Sequence, residues 1–261
     1  MTEPKLSALV VVHNEEARLE ACLARLAFAD ELVVVLDRCT DGSKEIAARH
    51  TRHLTSHLIE GAWENEGARR NTGIESCSGE WVLEVDADEW VGPELAGEIR
   101  RVVAASRADW HLIPVDNYVG ARLVRYGWGA SFGRSAHAGL FRKNAKRWGD
   151  QLVHPSLSLS GTPGGKLETP LQHFIDKDIS GLVRKLDSYT TAHGADLLAS
   201  GDIGSFAHNI RRIFSRFWKC FVARKGYREG YMGFLIALLA SLYPILSYLK
   251  ARFARDQKGR G

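Results

Sequence analysis

The sequence predicts an α/β domain, a mostly parallel sheet with flanking helices, followed by a helical C-terminal extension. Two observations predict it. Short continuous apolar runs alternate with segments of helical periodicity, the order expected of βα units, and these runs end in polar or acidic residues.

Residues 6–13 form the first apolar run and read as a buried parallel strand opening onto a loop. Residues 15–26 read as a helix, 31–36 as a strand, 43–50 as a helix and 55–60 as a strand. The alternation continues with a helix over 67–77, a strand over 81–85, a helix over 93–105 and a strand over 110–115. Residues 120–135, rich in Gly, Arg and aromatics, are expected to form a substrate loop. Alternation near 152–159, the turn Gly161-Thr162-Pro163-Gly164-Gly165 and the run 167–173 predict a hairpin-like segment. Helical patterns dominate after Ile179.

The 261 residues carry a net charge of +4, but residues 206–261 hold 12 Lys/Arg against 2 Asp/Glu, leaving an acidic body and a basic tail. Such a tail suits nucleic acid or an anionic membrane surface. Its basic residues alternate with a strongly apolar face instead of lining a polar groove, which points away from nucleic acid and towards membrane. Cys22, Cys39, Cys77 and Cys220 make no CxxC pair and fit a reducing compartment. The stretch before the first apolar run is too short and polar for a secretory signal, so a cytoplasmic location is expected.

In open sheets of this class, ligands bind beyond the carboxyl ends of the strands. His13-Asn14-Glu15, Asp37 and Asp86-Ala87-Asp88 all fall there. Mg²⁺ and Mn²⁺ prefer oxygen ligands and are commonly held by one or two carboxylates plus phosphate oxygens. A D-x-D loop at a strand end supplies those carboxylates, although the tripeptide alone also occurs by chance on surface loops.

The helix Gly67-Ala68-Arg69-Arg70-Asn71 before a strand ending in Asp86-Ala87-Asp88 resembles glycosyltransferase family 2. Val10-Val11-Val12-His13-Asn14-Glu15-Glu16 and Asp37-Arg38-Cys39-Thr40-Asp41-Gly42-Ser43 resemble that family's first two strand-end loops. Gly139-Leu140-Phe141-Arg142, Asp150-Gln151-Leu152-Val153-His154 and the tail over 226–249 resemble bacterial lipopolysaccharide-core β-glycosyltransferases. The resemblance implies a Rossmann-like GT-A fold and an inverting, metal-dependent transfer from a nucleotide-diphosphate sugar, a UDP-sugar foremost, to a lipid-linked saccharide. It implies that His13, Asn14, Glu15, Asp37, Arg70 and Asp86 bind the nucleotide sugar, and that Asp86 and Asp88 hold Mg²⁺ or Mn²⁺. It makes Asp150 the expected base. Two positions depart from the pattern: Leu36 stands where many members carry a first acid, and Gln151 replaces a second acid beside Asp150.

Other readings stand beside these. Asp150 is a base or the cap of a turn. His154 is a further metal ligand, an orienting group or a packed histidine, and His173 carries less weight because it sits where a strand meets a loop. His50, His53 and His57 straddle a helix end and need not converge. Arg125 and Trp128, within a cluster with Arg122, Tyr126 and Arg134, together with Arg142, are candidate acceptor contacts; exposed arginines on a folded loop are the alternative. The apolar run 232–249, interrupted by Pro244 and flanked by cations, is expected to lie in the interface of the bacterial inner membrane at its cytoplasmic face. Its alternative is a helix packed on the domain or at a homo-oligomer contact. The expected domains are a catalytic domain over 1–178, with a nucleotide-sugar half to 115 and an acceptor half from 116, and an extension over 179–261. A sugar nucleotidyltransferase and a catalytically idle nucleotide-sugar-binding scaffold are the competing functions.

Overall fold

A computed structural model describes residues 5–51, 55–129, 133–150 and 155–258. The chain divides into two compact units, one of Met1–Val115 with Ala136–His173 and one of Asp116–Ser135 with Phe174–Gly261.

The first unit is built on the parallel strands β1 (Leu6–Val12), β2 (Glu31–Asp37), β3 (Thr55–Gly61) and β4 (Trp81–Asp86), arranged β3-β2-β1-β4. β5 (Glu89–Trp90) follows β4 directly, and β6 (Trp110–Val119) begins in this unit. β8 (Ala136–Arg142), which follows β7 of the second unit in the chain, runs antiparallel beside β4, and the start of β6 pairs antiparallel with β8. Helices α1 (Glu16–Ala24), α2 (Ser43–His50), α3 (Glu66–Ser76) and α4 (Pro93–Ala105) connect the strands. Alternate residues of β1 explain why both faces are covered. Leu6, Ala8, Val10 and Val12 pack with Leu19 and Leu23 of α1 and Leu95 and Ile99 of α4, while Leu9 packs with Ile74 of α3. The register sets Val12 opposite Leu36 and Val11 opposite Asp86, so β1, β2 and β4 end on one rim.

The hairpin expected over 152–173 does not form. β10 (Leu157–Leu159) pairs with β9 (Lys146–Trp148), and β11 (Pro163–Lys166) lies parallel to the start of β6. The start of β12 (Leu171–Asp176) pairs antiparallel with β5, setting His173 opposite Glu89. Open backbone on β9, β6 and β5 decides these partners, and a turn signal between two runs does not report it.

The second unit holds β7 (Arg122–Val124), paired with the end of β6, and the helices α5 (Ile179–Ala199), α6 (Phe206–Trp218) and α7 (Tyr231–Lys258). Val119, Val124 and Trp128 share a core with Leu182 and Leu186 of α5 and Ile236 and Leu239 of α7. The stretch 116–135 thus groups with the helices and not with 136–173, and Val124 and Trp128 within it are core. The run 232–249 lies inside one 28-residue helix that continues through Pro244. That helix is long and apolar enough to cross a membrane, but 67% of its most apolar stretch is buried within the protein. Most of that stretch is therefore covered by protein, as the second of the two readings expects, while its length and apolarity stay compatible with the first.

Gly67 shows how tightly α3 is seated. A Cβ there would lie 1.8 Å from the carbonyl oxygen of Gly149, a backbone atom that cannot swing aside. Gly67→Ala is expected to lower stability by about 1–3 kcal/mol, the usual cost of overpacking, read as a lower urea midpoint without a change in slope.

Candidate active site

The loop after β1 and the loop after β2 are stitched together. Asn14, in the left-handed region at φ 56° that Asn tolerates better than most residues, accepts a hydrogen bond from the Thr40 backbone N–H at 2.7 Å. The Glu15 N–H donates to Ser43 Oγ, the Glu16 N–H donates to Asp41, and the Gly42 N–H donates to Glu16 Oε2 at 2.7 Å. His13 sets Nδ1 2.6 Å from the Asp37 carbonyl oxygen. The first two motifs therefore share a structural task, holding His13, Asn14, Glu15 and Asp37 on one patch of the rim.

Asp37 is buried, and its carboxylate accepts from Arg38 at 3.0 and 3.1 Å, from Arg69 at 3.2 Å and from the Trp63 N–H at 3.3 Å. Burial opposes its ionisation, but Arg38, the Trp63 N–H and Arg69 outweigh that and hold the carboxyl below the usual range.

Helix α3 sends three successive side chains to three parts of this rim. Arg69 reaches Asp37, Arg70 reaches Glu84 at 2.5 Å and Asp86 at 2.8 Å, and Asn71 bonds both the N–H and the carbonyl of Trp148. Asn65 caps the helix by accepting from the Ala68 N–H, and its amide donates to the Asp150 carbonyl at 3.0 Å. Asp150 is exposed, on the lip of a cleft of about 530 Å³ along α3.

Beneath the rim, Glu84 in β4 is fully enclosed between Lys146 at 2.7 Å and Arg70. Burial alone would push its carboxyl up, yet Lys146 and Arg70 hold it down at about 2. Arg70 is likewise held above its ordinary range: burial works against its charge, and Asp86, Glu84 and Glu66 overcome it.

Asp88 lies 3.4 Å from Arg18 of α1 and 3.4 Å from His173 Nε2. Pairing of β5 with β12 brings His173 there. Arg18 and His173 are the residues that sequence reasoning missed or undervalued. The cue for His173 lay in a strand pairing between distant segments, and Arg18 offered only its place on the first helix. Among the described residues no group of three or more His, Cys, Asp or Glu is placed to hold a metal by itself. Two partly exposed carboxylates suit instead a hard cation whose remaining ligands come from substrate phosphates and water.

Each of the three expected acceptor contacts has partners of its own. The ring of Trp128 is buried, its Nε1 donating to the Val124 carbonyl, so the indole is a core group and not a stacking platform. The Arg125 N–H donates to Glu229 within the second unit. Arg142 is paired in the sheet with Trp81, at the opposite end of β4 from Asp86; its guanidinium lies over the Trp81 ring and bonds Glu80 and the Ser106 and Ala108 carbonyls. Arg142 therefore locks the amino end of the sheet. His154 and His53 lie outside the described residues, and His50 and His57 pair separately with Glu20 and Glu31, so the histidine triplet makes no shared site.

The Glu84 pair has a signed pH consequence. A carboxyl held at about 2 instead of its ordinary 4.5 adds stability that is complete above 4.5 and lost as pH falls towards 2. The shift corresponds to about 3 kcal/mol, and leaving Arg70 and Lys146 facing a neutral amide costs about 3–5 kcal/mol. Glu84→Gln is expected to unfold earlier at pH 7 and to lose much of the acid-dependent fall in stability, measured by urea unfolding across pH.

Residues 7–159 match the sequence pattern of Glycosyl transferase family 2. The lipopolysaccharide core biosynthesis glycosyltransferase LpsC of Rhizobium meliloti (strain 1021) is 24% identical over 254 residues, covering 94% of this chain and 91% of that one. The putative glycosyltransferase EpsH of Bacillus subtilis (strain 168) is 32% identical over 107 residues, covering 39% of this chain and 31% of the other. Crystal structures of S. aureus TarS 1-349 and of its complex with UDP align with TM-scores of 0.51 and 0.50 at 14% and 16% identity, each covering 98% of this chain and 92% of the other. The fold they share is the GT-A arrangement of a mixed sheet with flanking helices, and with more than half of its length matching the family pattern the chain belongs to glycosyl transferase family 2.

Proposed function

We propose that this glycosyltransferase is inverting and metal-dependent, and that it moves a sugar from a UDP-sugar to a lipid-linked saccharide of the lipopolysaccharide core, at the cytoplasmic face of the bacterial inner membrane. The observation that carries the reading is the convergence of Arg70, Asp86, Asp88 and His173 just beyond β4, beside the rim that bears His13, Asn14, Glu15 and Asp37. The lipopolysaccharide assignment rests on the LpsC likeness along nearly the whole chain.

The chemistry follows from charge. Breaking the bond between the anomeric carbon and the diphosphate oxygen leaves negative charge on the diphosphate, and positive groups aimed there lower the barrier. Asp86 and Asp88 would hold Mg²⁺ or Mn²⁺, with His173 the candidate third protein ligand. When bound, the cation supplies Lewis-acid stabilisation of the leaving diphosphate. Arg70, held charged by its acidic partners, adds a second positive group. Asp150 takes the proton from the acceptor hydroxyl as its oxygen attacks the anomeric carbon from the face opposite the diphosphate, which inverts that centre. Asn65 and the close Gly67 to Gly149 approach fix the backbone that carries Asp150.

A saturating UDP-sugar with Mn²⁺ is expected to raise the melting temperature of the wild-type protein; at a hundred times Kd the gain is about 2.7 kcal/mol. Asp88→Ala should abolish the metal-dependent part of that gain and lower kcat/KM for transfer by at least about a hundredfold. Unchanged transfer by Asp88→Ala rules out the metal assignment. Asp150→Asn should leave donor stabilisation intact and lower kcat by about 10² to 10⁴; full activity in that variant assigns the base elsewhere. Donor binding without turnover on any saccharide acceptor favours the idle scaffold instead.

A further inference from the structure

Helix α6 and the start of α7 carry a surface that the sugar chemistry does not use. On α6, Arg211, Phe214, Ser215 and Trp218 follow i, i+3, i+4, i+7 spacing and all face outwards, with Phe214 72% and Trp218 64% exposed. On α7, Tyr231, Phe234 and Leu238 are also exposed, at 67%, 50% and 38%. The two stripes meet through an aromatic layer in which Phe217 and Phe221 pack edge-on against Phe234. Large exposed aromatics grouped in this way mark an interaction surface.

Charge identifies the occupant. Arg211 and Lys219 are exposed on the same stretch as Phe214 and Trp218, and Lys225 is exposed on the connection to α7. Between Asp202 and Asp256 the sequence has one acid, Glu229, and its carboxylate is largely enclosed, accepting from the Arg125 and Tyr126 N–H groups. Among residues 203–255 the exposed side chains therefore include aromatics and cations but no acid. A two-fold contact with a second copy would oppose like charges, because the same patch serves both subunits. Interfacial helices on anionic lipid show this combination of Phe and Trp on one side and Lys and Arg around them.

We propose that the face formed by Phe214, Trp218, Tyr231 and Phe234, together with the exposed cations Arg211, Lys219 and Lys225, docks on an anionic lipid bilayer as a monotopic contact. α6, not the apolar run within α7, is the main docking element, since most of that run is already buried against protein. The proposal rests on the function above only for its purpose, presenting the enzyme to a lipid-linked acceptor.

The test is co-sedimentation of the full chain with vesicles of phosphatidylcholine alone or mixed with phosphatidylglycerol at roughly 7:3, at low and high salt. The protein should bind the mixed vesicles about tenfold or more tightly than the neutral ones, and high salt should weaken that binding. Phe214→Ser with Trp218→Ser should lower partitioning by at least about tenfold, and Arg211→Glu with Lys219→Glu should erase the preference for anionic lipid. Both variants alter exposed side chains, so their melting temperatures and donor stabilisation should match wild type. Equal binding to both vesicle types, or unchanged binding by the variants, overturns the proposal. So does a wild-type dimer that Phe214→Ser with Trp218→Ser dissociates. Vesicle binding that persists in a protein showing no donor stabilisation supports this surface while removing the donor assignment.

Discussion

A carboxylate buried in the middle of a sheet strand is tolerable only when its charge is answered at close range, and Glu84 imposes that constraint on the first unit. Lys146 from β9 and Arg70 from α3 answer it from two different elements. Lys146 also donates to the Ala138 carbonyl and lies near the Phe141 and Trp148 rings, so the ammonium is tied to β8 as well. Neither cation can leave without exposing the other charges to an apolar surround. The consequence reaches the rim: with one arm of its guanidinium committed to Glu84, Arg70 has its other arm fixed on Asp86.

Helix α3 converts that constraint into a site. Its capping residue Asn65 and its first turn face Asp150, its middle residues Arg69 and Arg70 face Asp37 and Asp86, and Asn71 grips Trp148. A helix turns about 100° per residue, so three consecutive polar residues necessarily point in three directions. Here each direction ends on a partner. The Arg69-Arg70-Asn71 run is thus a joint between β2, β4 and β9.

Much of this was legible in the sequence because it is local. The runs over 6–13 and 31–36, and that over 81–85 but for Glu84, are mostly apolar because those strands are covered on both faces, and their polar ends lie on one rim because parallel strands in register must end together. What stayed hidden depends on contacts between distant segments. His173 reaches Asp88 only through the β5 to β12 pairing, and nothing near His173 encodes that partner. Trp128 reads as a sugar platform from its glycine- and arginine-rich setting, but α5 and α7 supply an apolar surround that buries it. Hydropathy likewise cannot tell a helix covered by lipid from one covered by α5 and α6, so the run over 232–249 left both readings open.

The rim's charges also constrain how a donor could be accepted. Asp86 is held by Arg70, and Asp88 sits near Arg18 and His173, so each carboxylate expected to meet a dication already has a basic partner. Those basic partners are what a dication would have to displace. They are also of the right sign to meet a diphosphate. On the function proposed above, donor binding would be an exchange of partners, with Asp86 and Asp88 turning to the cation and Arg70 and Arg18 to phosphate oxygens. Arg70 is the less mobile of the two, because Glu84 and Glu66 retain it. Arg18, half-buried on α1 and paired with Asp88 at 3.4 Å, would be the one to follow the diphosphate, giving the first helix a part in the proposed site as well as in covering the sheet.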